Sequence, residues 1–447
     1  MKVSSILAAV LALGITAAAI AQEAPDQSPK PSVQDSTGPA HLGSEAPPLA
    51  IGTDIEASRN ILVGGFSLGA AYDNRGLYNS TTGTFSGDTR YFIQPSIAFQ
   101  RLYSKGIWTV SYTPGISYSS DDSNNSQYTN NLAGDINWHP NGRLLVHARQ
   151  DFSLTDNPFE TVGRVDLLPG LGGVLGPNYS GVLPDTKRTT LISNLDVSYK
   201  LAEHTAIGLT GGFQKYSYDA TTSSTTTFPY VNSEVVNGSA FLSHQFSPIF
   251  NAGVQLAYTD IYSTGAEVAR TQAPAPMLFI KLNPDTHTEV TVFGGPEYAR
   301  IREVVSLSPV YQHHWYSTYG ATLAWGGHRN AFDIQAQHHI SNGGGVLESA
   351  QTTSAGAGYR VRVAPRLLTE LRANWSDQKG IGVLGSGAKF ESLWAGGGPV
   401  VELNRLFSLR ADVAYVHQSQ QNLSPVAGNH LLVQGSLEYR FHKNLGE

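Results

Sequence analysis

Ten charged side chains stand in small groups of opposite sign along otherwise apolar stretches: Asp135, Arg149, Asp151, Asp196, Glu370, Arg372, Arg410, Asp412, Glu438 and Arg440. Several are spaced by two, as in Arg149/Asp151, Glu370/Arg372, Arg410/Asp412 and Glu438/Arg440. On an extended chain residues i and i+2 share a face. Acid and base can then brace each other in salt-bridged ladders, or act through their field on ions passing close by. The plainer reading is a solvated wall; a substrate track is the sharper one. Histidines gather at His313, His314, His338 and His339. A hairpin closing at Gly326–Gly327 would set His314 opposite His339, about 5 Å apart at Cβ. Such a pair could hold a divalent metal or respond to pH. With no carboxylate beside them they make a poor site, so no metal is expected and His314 and His339 are weak candidates only.

Covalent chemistry finds little support. The one Asp-Asp pair, Asp121–Asp122, has Ser123 beside it but no adjacent His. The chain has no Cys, which removes thiol catalysis, disulfides and zinc-thiolate sites together. No Gly-rich phosphate loop, zinc spacing or helical coenzyme fold is visible. The expectation is a protein without catalytic residues or cofactor.

The elements that must position these charges come next. Only 14% of the 447 residues are charged, against roughly 25% in an average soluble protein. Aromatics reach 10%, with 21 Tyr, and Gly is high at 46. The net charge of -6 gives no basic surface for nucleic acid. The first residues read as a secretory signal: Lys2, an apolar run from Ile6 to Ile20, and the small-x-small triplet Ala19-Ile20-Ala21, predicting cleavage after Ala21. No other stretch approaches the roughly 18 apolar residues of a membrane helix. The mature chain is then a soluble periplasmic protein or a closed barrel, because only helices and closed barrels satisfy their backbone within lipid. Residues 22–58 are Pro-rich and polar, and are expected to form a disordered periplasmic linker.

From Asn60 onward the period is two. Leu431, Val433, Leu437, Tyr439 and Phe441 alternate with Gln434, Ser436, Glu438 and Arg440. Phe407, Leu409, Ala411 and Val413 alternate with Ser408, Arg410 and Asp412. Leu144, Val146, Ala148 and Phe152 alternate with His147, Arg149 and Asp151. Apolar-out, polar-in alternation is the pattern of a membrane barrel. A soluble sandwich also alternates, but its strands run about 5–6 residues, whereas these run about 12–15. Connections alternate in length as well. Short turns such as Tyr103–Gly106, Pro140–Gly142 and Gly326–Gly327 are followed by longer polar loops such as Asn74–Gly87, Asp156–Lys187, Glu303–Pro309 and Asn342–Leu347. The expected fold is all-β: a transmembrane antiparallel up-and-down β-barrel of about 18 strands (16–18), spanning 59–441, with both termini periplasmic and a short tail at 442–447. Aromatics fit two girdles. Trp108, Trp138, Tyr199, Phe250, Trp325, Phe407 and Phe441 lie toward the short turns. Tyr72, Phe152, Tyr258, Trp315, Trp375 and Tyr415 lie toward the long loops.

These residues resemble bacterial porin-like outer-membrane barrels. The final strand ends Leu437-Glu438-Tyr439-Arg440-Phe441, which looks like the terminal aromatic signal read by the barrel-assembly machinery; His442–Glu447 extend past it. The resemblance implies Tyr439 and Phe441 as assembly residues. It also implies that the loop after the fifth strand folds inward to narrow a pore. That loop would contribute Asp156, Glu160, Arg164, Asp166, Asp185 and Lys187, facing Arg149, Arg372 and Arg410 on the wall. The implied function is passive or weakly selective diffusion of small hydrophilic solutes. Implied partners are outer-membrane lipid and the assembly machinery, with a homotrimer left open. Export of a polymer such as polysaccharide, or a structural or adhesive barrel, are the alternatives.

Overall fold

The computed structural model describes residues 60–79, 84–120, 126–155, 188–218, 231–264, 268–305, 308–327, 329–383, 385, 387–421 and 428–444. All of them belong to one compact unit. Every long element among them is a strand. The first six are β1 (Ile61–Asn79), β2 (Thr84–Tyr103), β3 (Gly106–Ser119), β4 (Ser126–Asn141), β5 (Leu144–Thr155) and β6 (Arg188–Ala202). Next come β7 (Thr205–Tyr218), β8 (Asn232–Ser247), β9 (Phe250–Thr264), β10 (Val268–Leu282), β11 (Thr288–Val305) and β12 (Ser308–Gly326). The last are β13 (Asn330–Ser341), β14 (Ala350–Ala364), β15 (Leu367–Gly380), β16 (Lys389–Glu402), β17 (Phe407–Gln421) and β18 (Gly428–Asn444).

Each strand pairs antiparallel with the next, and β1 closes the ring on β18 from Ile61↔Asn444 to Asp73↔Leu432. The result is a closed 18-stranded up-and-down barrel. The period of two in the sequence is the cause. One parity carries Leu, Ile, Val, Tyr and Trp; placing it outside leaves an exposed apolar face, as with Leu68, Ile93, Leu132, Leu209, Leu278 and Val413. The other parity carries Ser67, Asp88, Arg90, Gln94, Asp151, Glu370 and Glu438, all buried on the inner face. Outward apolar and inward polar faces on a closed ring make a transmembrane barrel. All thirteen girdle aromatics lie on the outward parity.

Three expectations change. β18 continues past Phe441 to Asn444, so His442–Asn444 belong to the wall and not to a tail. The loop expected at Glu303–Pro309 shrinks to two residues, because β11 and β12 keep pairing up to Val305↔Ser308. The inner face is also not uniformly polar. Phe241, Ala257, Ala275, Met277, Phe279 and Phe293 form a buried cluster on the inner side of β8–β11. The Phe279 and Phe293 rings occupy the space beside Gly253 and Gly320 of the neighbouring strands, where a Cβ would stand 2.5 Å from each ring.

Candidate functional site: a narrowed lumen

A round ring of 18 strands at about 4.8 Å spacing and a tilt near 40° is roughly 35 Å across between backbones. Facing walls are too far apart for their side chains to meet. Filling must come from segments folded inside, and two such segments are present among the described residues.

The first is 342–349, between β13 and β14. β13 pairs with β12 only from Gly326↔Ala331 to Tyr319↔His338, leaving the outer part of β12 without it. Above His338 the chain crosses the inner face of the barrel. The backbone N–H of Ile340 donates to Glu297 Oε2 of β11 at 3.3 Å. The turn then runs along the inner face of the neighbouring strands β10 to β7. Asn342 Nδ2 donates to Ser233 Oγ of β8 (3.0 Å), Val231 N–H to the Gly345 carbonyl (3.0 Å), and Tyr218 Oη of β7 to the Gly344 carbonyl (3.3 Å). Ser263 Oγ of β9 donates to the Glu348 carbonyl at 2.5 Å, and Thr271 of β10 shares a hydroxyl hydrogen bond with Ser349 at 2.9 Å. Gly343, Gly344 and Gly345 permit this path. All three have positive φ (62°, 63° and 86°), which side chains with a Cβ rarely adopt.

The second segment comprises the described residues 381–383, 385, 387 and 388, between β15 and β16. It packs on the first: Ile381 N–H donates to the Ser349 carbonyl at 3.1 Å, and Ala388 sits with Leu347 and Ala350. Val383 N–H donates to Glu303 Oε2 of β11 at 2.6 Å. Ile340 and Ile381 complete a buried apolar cluster with Val235, Ile261, Ala273, Ala299 and Ile301 of the wall. Thus apolar wall residues on β8–β11 are the seat of the inner segments.

Charges line the wall nearer the short turns. On β4–β6, His147 faces two carboxylates, with Nε2 2.8 Å from Asp135 and Nδ1 3.3 Å from Asp196. Arg149 Nε donates to Asp151 at 2.9 Å. On β14–β17, Glu370 accepts from Arg360 Nε at 2.5 Å and from Arg410 Nη2 at 3.4 Å, while Arg410 Nε donates to Asp412 at 2.6 Å. Arg410 and Glu370 lie on either side of β16 and meet across Gly396–Gly398. A Cβ on Gly398 would stand 1.7 Å from the Ala411 carbonyl, and Gly397 has φ +142°. The glycine run therefore leaves no β16 side chain between the Glu370 and Arg410 side chains. Arg372 pairs in register with Gly358, and Asp333 does so from the other side of the same glycine.

Arg149, Arg372 and Arg410 accordingly do not assemble as one group. Arg149 stands apart on β5, whereas Arg372 and Arg410 both lie close to Glu370 on β15–β17. Asp156, Glu160, Arg164, Asp166, Asp185 and Lys187 lie outside the described residues, as do the signal segment and the linker at 22–58. The expected opposition of His314 and His339 does not occur. His314 pairs in register with Ala299, and His339 with Thr352. The turn after β12 runs from Gly326 to Ala331, four residues off the register assumed for closure at Gly326–Gly327, and β13 has left β12 before His339 is reached. Among the described residues no group of three or more His, Asp or Glu could hold a metal.

Sequence reasoning passed over the inner segments. Asn342–Leu347 read as an ordinary outer loop. Its signal was the unbroken Gly343-Gly344-Gly345 run followed by two apolar residues, Val346 and Leu347.

No protein-family model matches the chain. No curated protein matches it. Solved structures similar to it include OpdK of Pseudomonas aeruginosa with vanillate, at 11% identity and a TM-score of 0.40, covering 86% of this chain and 99% of that one. The ferric citrate transporter FecA in unliganded form matches at 10% identity and 0.42, over 83% of this chain; the match covers 63% of FecA. The ferric-catecholate import receptor Fiu of E. coli K12, open form, matches at 10% identity and 0.40, over 85% and 81%. These are likenesses to other barrels at low identity, and the closed 18-stranded ring rests on this chain's own strand pairing.

Proposed function

We propose that the barrel sits in a bacterial outer membrane, with both chain ends on the periplasmic side, and lets small hydrophilic solutes diffuse down their gradients. The protein performs no covalent step. The carrying observation is the combination of a charged lumen wall with two inner segments held against the inner face of β7–β11. The wall keeps the path wetted. The segments set its width and the size of solute admitted. Tyr439 and Phe441 on the closing strand serve recognition by the assembly machinery.

The test is liposome swelling with purified, refolded barrel and sugars of graded size. Small sugars should enter and larger ones should be refused at a definite size. An absence of swelling with every sugar, in vesicles that carry folded barrel, overturns the reading.

A further inference from the structure

The outer face of β7–β12 carries charged side chains near its outer rim, on the parity that is apolar below. Outward Lys215, Glu234, Tyr262, Arg270, Arg302 and Tyr311 are register neighbours, each on the next strand. Two residues lower, Arg300 stands between Gln272 and His313. Two of the cations are neutralised. Lys215 Nζ is 2.6 Å from Glu234, and Arg270 donates twice to Asp260, at 2.9 and 2.6 Å. Arg300 and Arg302 are both exposed, and neither has a carboxylate partner among the described residues. The Arg302 guanidinium lies over the Tyr311 ring, 5.9 Å from its centroid.

Depth gives this pair meaning. Directly below it lie Tyr298 and Trp315, with ring centroids 5.0 Å apart, and Trp315 is 70% exposed. Outward Leu278, Ile280 and Val292 follow below them. Tyr and Trp mark the headgroup level, with the hydrocarbon beneath. An outward cation is costly at mid-bilayer and nearly free at the interface. Arg300 and Arg302 are two residues apart on one face, about 7 Å along the strand, so both guanidiniums stand at headgroup level.

We propose that Arg300 and Arg302 bind the phosphate groups of a phosphorylated glycolipid in the outer leaflet. Guanidinium forks match phosphate oxygens two at a time, which a lysine ammonium does not. The aromatic shelf of Tyr298 and Trp315 underlies the sugar and the first acyl carbons. This site rests on the outer-membrane reading above.

The test uses the full barrel in neutral detergent, titrated with diphosphoryl lipid A, its dephosphorylated counterpart and inorganic phosphate. Wild type should bind the diphosphoryl form. The Arg300→Gln/Arg302→Gln variant should bind about tenfold more weakly, and the paired Lys substitutions should recover only part of this. Arg101→Gln, outward at the opposite rim, should leave binding unchanged. Inorganic phosphate at millimolar levels should not compete. Equal binding by wild type and the double Gln variant overturns the site, and so does equal binding of dephosphorylated lipid. Retained heat-modifiable migration shows the variants folded; if the double variant fails that check, the single variants carry the comparison. Membrane fractionation separates the two claims. A chain found in the outer membrane but indifferent to lipid A sinks only the lipid site, whereas one found elsewhere sinks both.

Discussion

The backbone N–H of Ile340, at the end of β13, is hydrogen-bonded to the Glu297 carboxylate two strands away on β11. The contact crosses the inner face of β12 and fixes where the chain enters the bore. Glu303, three turns of the pleat further up the same strand, holds Val383 of the second segment in the same way. Both carboxylates are buried on the inner wall.

Removing both anchors should loosen the inner segments. A hydrogen bond to a charged group contributes about 1.5–3 kcal/mol, and every 1.4 kcal/mol is tenfold in a population. Glu297→Ala/Glu303→Ala should therefore shift the balance between seated and displaced segments by tenfold or more. Single-channel recording should show larger mean conductance and added current noise. Unchanged conductance and noise would mean that the path for ions does not run past these segments.

The charge ladder over β16 predicts a signed effect. Arg410 is shared by Glu370 and Asp412, so its loss leaves carboxylates in excess. A unit charge about 4 Å from a passing ion is worth about 1 kcal/mol in water, less in salt. Arg410→Gln should move the permeability ratio about threefold toward cations. Glu370→Gln should move it a similar amount toward anions. Reversal potentials in a KCl gradient read both, and shifts of the same sign in the two variants would exclude direct electrostatic control.

The wall was legible in the sequence and the bore was not. Residues such as Leu409/Arg410/Ala411/Asp412 state their facing by parity alone, because a strand offers only two sides. Strand number, order and ring closure follow from counting such segments. Inner-segment contacts such as Asn342 to Ser233 join residues 109 apart in sequence and obey no period. Phe241, Met277, Phe279 and Phe293 carry the same alternation as outward residues, so nothing local marks them as inward. The His314–His339 pairing failed for a related reason: register depends on the turn, and Gly326–Gly327 alone did not show that the turn extends to Ala331.

Ring closure offers a stability prediction. The Phe441 ring of β18 packs over Gly64 of β1, where an added Cβ would stand 2.6 Å from it. Phe441→Ala removes that cover from the seam. A buried Phe→Ala change in a soluble core costs about 3–5 kcal/mol. Here the ring is 39% exposed and lipid can fill the gap, so the cost should be on the order of 1 kcal/mol. Gly64→Val should do comparable damage by pushing the ring aside. Urea midpoints of heat-modifiable migration measure both, and wild-type midpoints in both variants would remove the seam from the account of stability.

The turn between β10 and β11 supplies a pH prediction. Asp285 Oδ1 accepts from the His287 N–H at 2.7 Å, and Oδ2 accepts from the Thr288 hydroxyl at 3.0 Å. The His287 N–H, helped by the Thr288 groups, holds this carboxyl below its ordinary value of 3.8. A carboxyl with a depressed folded value binds its proton more readily in the unfolded chain. Its contribution is therefore fully present above the ordinary value and fades as pH falls below it, toward the folded value. Asp285→Asn keeps an acceptor for the His287 N–H but carries no charge. The gap in unfolding midpoint between wild type and Asp285→Asn should be present at about pH 5 and close below about pH 4. A gap that persists unchanged in acid would show that the charge on Asp285 contributes nothing to the turn.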